Sequence, residues 1–223
     1  MSEWGNYTLK YANNLVIGAN NVRFDCNGMF SKCTSLISPP QLPATTLTER
    51  CYYQMFQDCT SLTSAPELPA TTLASYCYKS MFSGCTSLTS APPELPATTL
   101  DYDCCEEMFN GCTSLTSAPP ELPATTLAQY CYAGMFNNCV SLVDAPALPA
   151  TTPAIRCYIN MFNGCTKLNE VHCNLTRFGT DYTQTWLKNV SSSGTFYKNS
   201  AVSDTIQRGA DTIPAGWTIA NYS

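Results

Sequence analysis

Cysteine offers the most chemistry in this chain, because fourteen thiols occur among 223 residues. Thiols in such numbers can form a disulfide framework, bind zinc, or fill a core as small apolar groups. Most recur at regular intervals, in two sets: Cys51, Cys77, Cys104, Cys131 and Cys157, and Cys33, Cys59, Cys85, Cys112, Cys139 and Cys165. The remaining three are Cys26, Cys105 and Cys173.

The spacing favours buried, reduced thiols over disulfides or zinc. On one helix Cys77 and Cys85 would lie about 12 Å apart at about 1.5 Å per residue, whereas a disulfide needs Cα atoms within about 7 Å. Pairing between packed helices would have to bridge about 8–10 Å. Zinc sites favour C-x2-C pairs, but the spacing here is C-x7-C and the chain has one His. We predict no metal and no cofactor, and expect any oxidised pair first at Cys104 and Cys105.

Two other groups of residues could support catalysis. His172 stands beside Cys173, but neighbouring residues on a strand point to opposite faces. The second group is acidic: Asp101, Asp103, Glu106 and Glu107. An acid-base pair would need a pocket, and a solvated helix start also favours negative charge, which is the interpretation we prefer. No nucleophile, base and orienting group converge, so we predict a protein with no catalytic residue that is not an enzyme.

An internal repeat positions these residues. A Met-Phe pair recurs in steps of 26 or 27 residues, at Met29, Met55, Met81, Met108, Met135 and Met161. The segment LPATTL begins at Leu42, Leu68, Leu95 and Leu122, and LPATTP begins at Leu148. The longer units contain a second proline, in Pro92-Pro93 and Pro119-Pro120, and an insertion at one fixed phase indicates a surface loop. Repeats of this length stack into a solenoid with a shared core.

Each unit is expected to contain one helix and one short strand. Leu73, Cys77, Met81 and Cys85 fall four apart, as on one apolar helix face, and Gly84 stands where a left-handed helix stop is wanted. The sequence therefore predicts an α/β repeat solenoid with short parallel strands on the inner face and helical segments outside. Two rows should form the core: Leu62, Leu88, Leu115 and Leu142, and Phe56, Phe82, Phe109, Phe136 and Phe162.

One polar column is not explained by folding. Glu67, Glu94 and Glu121 occupy the same phase, just before LPATT, with Gln41 and Ala147 flanking them. Duplication of one ancestral unit would produce this column without a function. Alternatively, the column is an acidic stripe that binds a basic protein surface or a calcium ion. A second candidate binding column lies on the strand face: Ser64, Ser90, Ser117 and Asp144.

The ends depart from the repeat, as the ends of a solenoid must. We predict an N-terminal capping turn over residues 1–28, six repeat units over 29–165, and a C-terminal capping region over 166–223. In the last region, residues 181–190 are predicted to be helical, with Trp186 and Leu187 facing inward. Strands are predicted at 195–197 and 217–219.

The unit MFxGCTSLTSAPxLP resembles the repeat A-F-x-x-C-x-x-L-x-x-I-x-L-P of the BspA-like, or Treponema-type, leucine-rich-repeat family. Met-Phe stands for Ala-Phe, Cys85 for the Cys, Leu88 for the Leu, Ala91 for the Ile, and Leu95-Pro96 for the Leu-Pro. The resemblance covers about residues 24–170, and GTFYKN and IPAGWT resemble the ends of such proteins. It implies a right-handed leucine-rich-repeat superhelix, while the LPATT insertion leaves the ligand open.

Members of this family are surface proteins of host-associated bacteria, several of them adhesins for matrix proteins such as fibronectin and fibrinogen. The resemblance therefore implies a non-catalytic cell-surface or secreted protein that binds a host matrix protein, a cell-surface molecule or a glycan. Two alternatives stay open: a structural spacer or stalk in a larger surface protein, and an intracellular scaffold for protein interactions.

Composition narrows the partners and the location. Charged residues are 12% of the chain, against an average of about 25%. The net charge of -5 argues against nucleic acid and anionic membranes as partners, and no run approaches the about 18 apolar residues of a membrane span. The first residues lack the basic and apolar regions of a signal peptide. This fits a cytoplasmic protein or a mature exported fragment, and we expect the second, at an extracellular or cell-surface location.

Overall fold

The computed structural model describes residues 10–17, 26–203, 206–209 and 212–222. It contains three strands: β1 Glu170–Cys173, β2 Gly194–Lys198 and β3 Trp217–Asn221. They form a parallel sheet in the order β1-β2-β3, with Phe196 opposite Val171 on one side and Ile219 on the other. Elsewhere single parallel bridges join neighbouring coils, and none of the described residues is helical. The chain is therefore a repeat solenoid with parallel pairing between coils.

The segments predicted as helices are runs of β-turns. The Met55 N–H donates to Tyr52 O within its own turn at 3.2 Å, whereas the next N–H, of Phe56, donates to Met81 O of the following coil at 2.9 Å. These two kinds of hydrogen bond alternate along the segment and recur in each coil. An α-helix satisfies its N–H groups within itself, so the prediction of helical segments on the outside of the solenoid is wrong.

Each turn closes on a residue with left-handed backbone. The φ angles are 53° at Gln54, 59° at Asp58 and 76° at Gly84. Within each coil the same conformation recurs every four residues, and it is also found at Arg50, Tyr76, Ser80, Asp103, Glu107, Gly111, Tyr130, Gly134, Asn138, Arg156, Asn160 and Gly164. The left-handed conformation predicted for Gly84 is confirmed, but the residue ends the last of several β-turns and does not end a helix.

The spacing of the apolar residues in the sequence distinguishes these turns from a helix. An α-helix has 3.6 residues per turn, so its apolar positions alternate between steps of three and four. Leu73, Cys77, Met81 and Cys85 instead keep a step of four. A chain that closes a turn every four residues directs each fourth side chain inward, and all four of these side chains are buried.

Stacking of successive coils builds the core. The rings of Phe56, Phe82 and Phe109 stack with centroids 5.4 Å apart and nearly parallel planes. The ladder continues through Phe136 and Phe162, at 5.4 and 5.7 Å. Both predicted core rows, the five Phe and the four Leu side chains, are fully buried. A coil repeat of this size is close to the about 4.8 Å between hydrogen-bonded strands and well below the about 8–10 Å between packed helices.

The segment after the last Met-Phe pair continues the stack. The Phe162 N–H donates to Trp186 O at 2.9 Å, as the phenylalanines of earlier coils donate to a Met carbonyl. Trp186 and Leu187 are buried, as predicted. The predicted helix at 181–190 is wrong, because this segment is again a run of turns with positive φ at Thr185 and Asn189.

The predicted strands at 195–197 and 217–219 are confirmed, since they lie within β2 and β3. At the other end, Tyr11 and Val16 make parallel bridges to Ser38 and Gln41 of the first coil. Much of the predicted N-terminal cap lies outside the described residues. The domain boundaries after residues 28 and 165 stay predictions.

Candidate interaction surface

All fourteen cysteines lie within the described residues, and each is a buried thiol outside any disulfide. Cys26 is equivalent to Tyr52, the residue after Cys51, because the Cys26 N–H donates to Cys51 O at 3.1 Å as the Tyr52 N–H donates to Cys77 O at 3.0 Å. Cys105 occupies the position that Tyr takes in other coils, at Tyr52, Tyr78, Tyr132 and Tyr158. Two of the three cysteines that the sequence left unassigned are therefore members of core columns.

The second regular set has a structural role. The Cys85 thiol donates to Phe56 O in the preceding coil at 3.1 Å, and Cys59 does the same to Phe30 O at 3.0 Å. Cys112, Cys139 and Cys165 repeat this contact. Burial raises the pKa of Cys85 to about 12. These thiols are protonated donors that bind one coil to the next, and a protonated thiol is a poor nucleophile.

The distance between packed helices does not keep these cysteines apart, because the segments are not helices. Coils that pair as parallel strands place equivalent Cα atoms about 4.8 Å apart, inside the about 4.4–6.8 Å range of disulfides. Reduced thiols are favoured on a different ground, because five of the six thiols of the second set donate hydrogen bonds to carbonyl groups.

We expect most thiols to be reduced in the native protein. Titration of the chain unfolded in denaturant without reductant should find about ten or more free thiols, because burial keeps the reactive thiolate form rare. The same titration without denaturant should find almost none, since all fourteen side chains are buried. A chain with most of its cysteines in disulfides would contradict this prediction.

The structure separates His172 from Cys173. Cys173 is buried and its pKa is raised to about 12 by burial, whereas His172 is half-exposed on the other face of β1. The imidazole stacks on the ring of Tyr197 with centroids 4.1 Å apart, and its Nε2 lies 2.9 Å from Glu170 Oε1. The placement on opposite faces, which was predicted from strand geometry, is confirmed.

The acidic cluster is not a solvated helix start. Asp103 is buried, and Lys79 Nζ lies 2.9 Å from its Oδ2 and also contacts the Glu106 carboxylate. Burial, together with the neighbouring Asp103 carboxyl, raises the pKa of Glu106 to about 7, against the opposing effect of Lys79. Asp101 accepts the Tyr102 N–H at 2.7 Å, and Glu107 accepts the Ser80 hydroxyl at 3.4 Å. These residues form a local network that joins neighbouring coils.

The glutamate stripe consists of Glu67, Glu94 and Glu121, one from each of three successive coils. All three side chains are exposed. Parallel bridges join the coils on both sides of the stripe. Before it, Ser90 pairs with Ser64 and with Ser117, and after it, Thr72 pairs with Thr99. Among the described residues no Lys, Arg or His forms an ion pair with any of the three carboxylates.

Three grooves run between the coils beside this stripe, and we call them the proline grooves. The first, of about 540 Å³, is lined by Pro39, Pro43, Pro66, Pro69, Gln41 and Glu67 among others. The second, of about 450 Å³, lies between Glu67 and Glu94, and the third, of about 210 Å³, lies between Glu94 and Glu121. Proline has no N–H to donate to a neighbouring coil, so the coils are not joined by hydrogen bonds at these positions and a gap remains.

The second candidate column also aligns in the structure. Ser64, Ser90, Ser117 and Asp144 are joined in that order by parallel bridges, which continue to Glu170. Their side chains are exposed. The structure therefore contains two exposed polar columns separated by a buried proline column, formed by Pro66, Pro92, Pro119 and Pro146.

Sequence reasoning missed a half-exposed tyrosine ladder. Tyr76, Tyr102 and Tyr130 contact one another edge to face, with centroids 5.4 and 5.8 Å apart. The Arg50 guanidinium lies 5.0 Å from the ring of Tyr76, and that of Arg156 lies 5.6 Å from the ring of Tyr130. The available signal was the dipeptide Tyr-Cys at 76–77 and 130–131.

Two other kinds of site are absent from the described residues. No group of three or more His, Cys, Asp or Glu side chains is placed to hold a metal ion. In the same part of the chain, no helix is long and apolar enough to cross a bilayer.

Comparison with known proteins identifies the repeat. The family model for the BspA type leucine rich repeat region matches with 6 copies, over residues 7–134 and 94–203. No curated protein and no solved structure matches the chain. The two matched ranges together span most of the chain and include the Met-Phe, Cys, Leu and Leu-Pro positions that form the buried columns. The chain belongs to the family of BspA-type leucine-rich-repeat proteins.

Proposed function

We propose that this protein is a non-catalytic binding module, and that its ligand contacts the glutamate stripe and the proline grooves. The observation that carries the proposal is the alignment of three exposed carboxylates that have no cationic partner among the described residues. Charges of one sign left without a partner favour a ligand of opposite charge. The family supports an interaction role, because leucine-rich repeats suggest a protein-interaction protein.

The rigidity of this surface supports the same proposal. Proline fixes its own backbone φ angle, and each of the three grooves is lined by prolines from two successive coils. A preorganised surface loses less conformational entropy when a ligand binds. A spacer or stalk would not need this combination of rigid grooves and unpaired carboxylates.

The proposal extends to location and ligand class. We propose an extracellular or cell-surface protein that binds a protein ligand, with host matrix proteins and glycans as the first ligands to screen. Fully buried thiols suit an oxidising location, because the thiolate form that reacts is suppressed by burial. Intracellular scaffolding is the second candidate, and the same binding surface would serve it.

The test replaces the three carboxylates of the stripe. The variant Glu67→Gln, Glu94→Gln, Glu121→Gln should bind a ligand found by screening at least about tenfold more weakly, because it removes the complementary charge. Its thermal stability should be unchanged or slightly higher, since like charges on neighbouring coils no longer repel one another. Binding is measured by calorimetry, and stability by thermal unfolding.

A matched control removes three exposed carboxylates elsewhere: Glu49→Gln, Asp101→Asn, Asp181→Asn. The Asn at 101 keeps the oxygen that accepts the Tyr102 N–H. Both variants change the net charge from -5 to -2 (-5 + 3 = -2). Equal binding by the stripe variant and the parent would overturn the assignment of the site, and would transfer the proposal to the serine column ending at Asp144.

A further inference from the structure

We propose that the partner of the glutamate stripe is a basic amphipathic α-helix that lies along the solenoid axis, with one Lys or Arg per helical turn facing one glutamate per coil. The inference rests on the binding function proposed above and adds the secondary structure and the register of the ligand. It is carried by three features of the surface: its repeat distance, its grooves and its unpaired charge.

The repeat distance of the coils matches the pitch of an α-helix. In the coils that carry the stripe, stacked Phe centroids are 5.4 Å apart, and an α-helix advances about 5.4 Å per turn. If the coils were about 4.8 Å apart, as paired strands are, two coil steps and two helical turns would differ in length by about 1.2 Å. A long Lys or Arg side chain can span this difference. Parallel bridges before and after the stripe, such as Ser64 to Ser90 and Thr72 to Thr99, hold these coils together, so the glutamates follow the repeat of the coils. A helix parallel to the axis therefore keeps one basic residue opposite each glutamate.

An extended segment does not keep this register. Residues on one face of a strand recur every two positions, about 6.6–6.8 Å apart, so an extended ligand along the axis is displaced by more than 1 Å at each coil. An extended ligand across the axis would follow a single coil and meet one glutamate. The three-coil stripe is thus better matched by a helix than by a strand.

The proline grooves provide sites for the apolar side chains of the ligand helix. One groove lies between Glu67 and Glu94 and the next between Glu94 and Glu121, so acidic and apolar positions alternate along the axis with the coil repeat. An amphipathic helix places apolar residues one per turn beside its basic ones. A side chain of the size of Leu or Met on each turn would enter one groove while the basic residue reaches the adjacent carboxylate.

The coils on either side of the stripe have no carboxylate at the same position. Gln41 precedes it and Ala147 follows it at the same phase, and Ala147 pairs directly with Glu121 through a parallel bridge. Beyond Ala147, His172 occupies the equivalent position, since Leu148 N–H donates to His172 O at 3.0 Å. The surface therefore offers three carboxylates in register, which corresponds to three turns of a helix.

The ligand test uses two designed peptides of equal composition. Each is Ala-rich with Lys and Leu, and about 18 residues long so that it can form a helix. In the first peptide the Lys residues lie on one helical face, at steps of three and four, and Leu lies beside them. In the second they are distributed around the helix. The first should bind the intact chain at least about tenfold more tightly, gain helical circular dichroism on binding, and lose this advantage in the stripe variant.

The protein offers a gain-of-function test with its own control. Ala147→Glu extends the stripe by one coil and should tighten binding of a peptide with four basic turns several-fold, but not of one with three. Val143→Glu adds the same charge at an exposed position of the same coil outside the stripe, and should not discriminate between the two peptides.

The outcomes separate the inference from the proposed function. If both equal-composition peptides bind alike and both depend on the stripe, the site binds cations but the helical register is wrong. If neither binds while a screened ligand still depends on the stripe, the proposed function holds and the helix is excluded. If no ligand depends on the stripe, both proposals fail.

Discussion

Replacing Phe109 with Ala should lower the free energy of unfolding by about 3–5 kcal/mol, the usual cost of emptying a fully buried aromatic site. The ring of Phe109 is fully buried and stacks on Phe82 on one side and Phe136 on the other, with both centroids 5.4 Å away. The neighbouring coils are fixed by their own hydrogen bonds, so they can close little of the cavity. The loss is measured by urea denaturation.

The position of Phe109 predicts how the variant unfolds. Repeats in a solenoid contact only their neighbours, so weakening an interior coil should uncouple the two halves. Hydrogen exchange should then show the coils before Phe109 opening separately from the C-terminal coils, which contain Trp186 and Trp217. The control is Phe30→Ala, because Phe30 stacks on one described ring, Phe56, and should cost less. A loss below about 1 kcal/mol for Phe109→Ala would contradict the ladder as the main stabilising column.

Replacing Gly194 with Ala should destabilise the C-terminal sheet by about 2–3 kcal/mol, because overpacking here is against backbone. A Cβ at this position would lie 2.3 Å from Asn169 O and 2.8 Å from a ring carbon of Trp217. Asn169 O is already fixed by the Thr195 N–H, which donates to it at 2.8 Å. The carbonyl cannot retreat without breaking the pairing of β1 with β2.

The fluorescence of Trp217, which is buried and opposite Gly194 across β2 and β3, reports this change directly. We expect a lower unfolding midpoint and a more exposed tryptophan. Ser193→Ala is the matched control, since Ser193 is exposed and adjacent in sequence, and it should change the unfolding free energy by less than about 0.5 kcal/mol. Equal stability of the two variants would mean that the coils can separate at Gly194 without cost.

The columns were predictable from the sequence because they depend only on phase. Residues one repeat apart are neighbours in any solenoid, so the Phe and Leu rows and the glutamate stripe follow from counting. The helix prediction failed because the alternative is held by hydrogen bonds between residues about one repeat apart, such as Phe56 to Met81, which no local pattern contains. The steady step of four between Leu73 and Cys85 was the one local sign of turns.

The sequence predicted the charged residues of the candidate site but not its grooves. The carboxylates of the stripe were found, but the proline grooves depend on how far each loop stands from the next coil, and sequence gives no such distance. The network of Lys79 with Asp103 and Glu106 was missed for a similar reason. Lys79 lies in one coil and its partners in the next, so the acidic residues have no basic residue near them in the sequence.

Because every thiol is buried, the lifetime of this protein in an oxidising medium depends on how often it unfolds more than on its equilibrium stability. While the coils remain stacked, oxidants find almost no thiolate, and the carbonyl contacts of the second cysteine set hold each proton in place. A molecule that unfolds once exposes fourteen thiols of ordinary reactivity together, and mispaired disulfides then block its return. In an oxidising medium, the unfolding rate of the stack therefore sets how long a molecule survives. A ligand that bridges several coils lowers this rate.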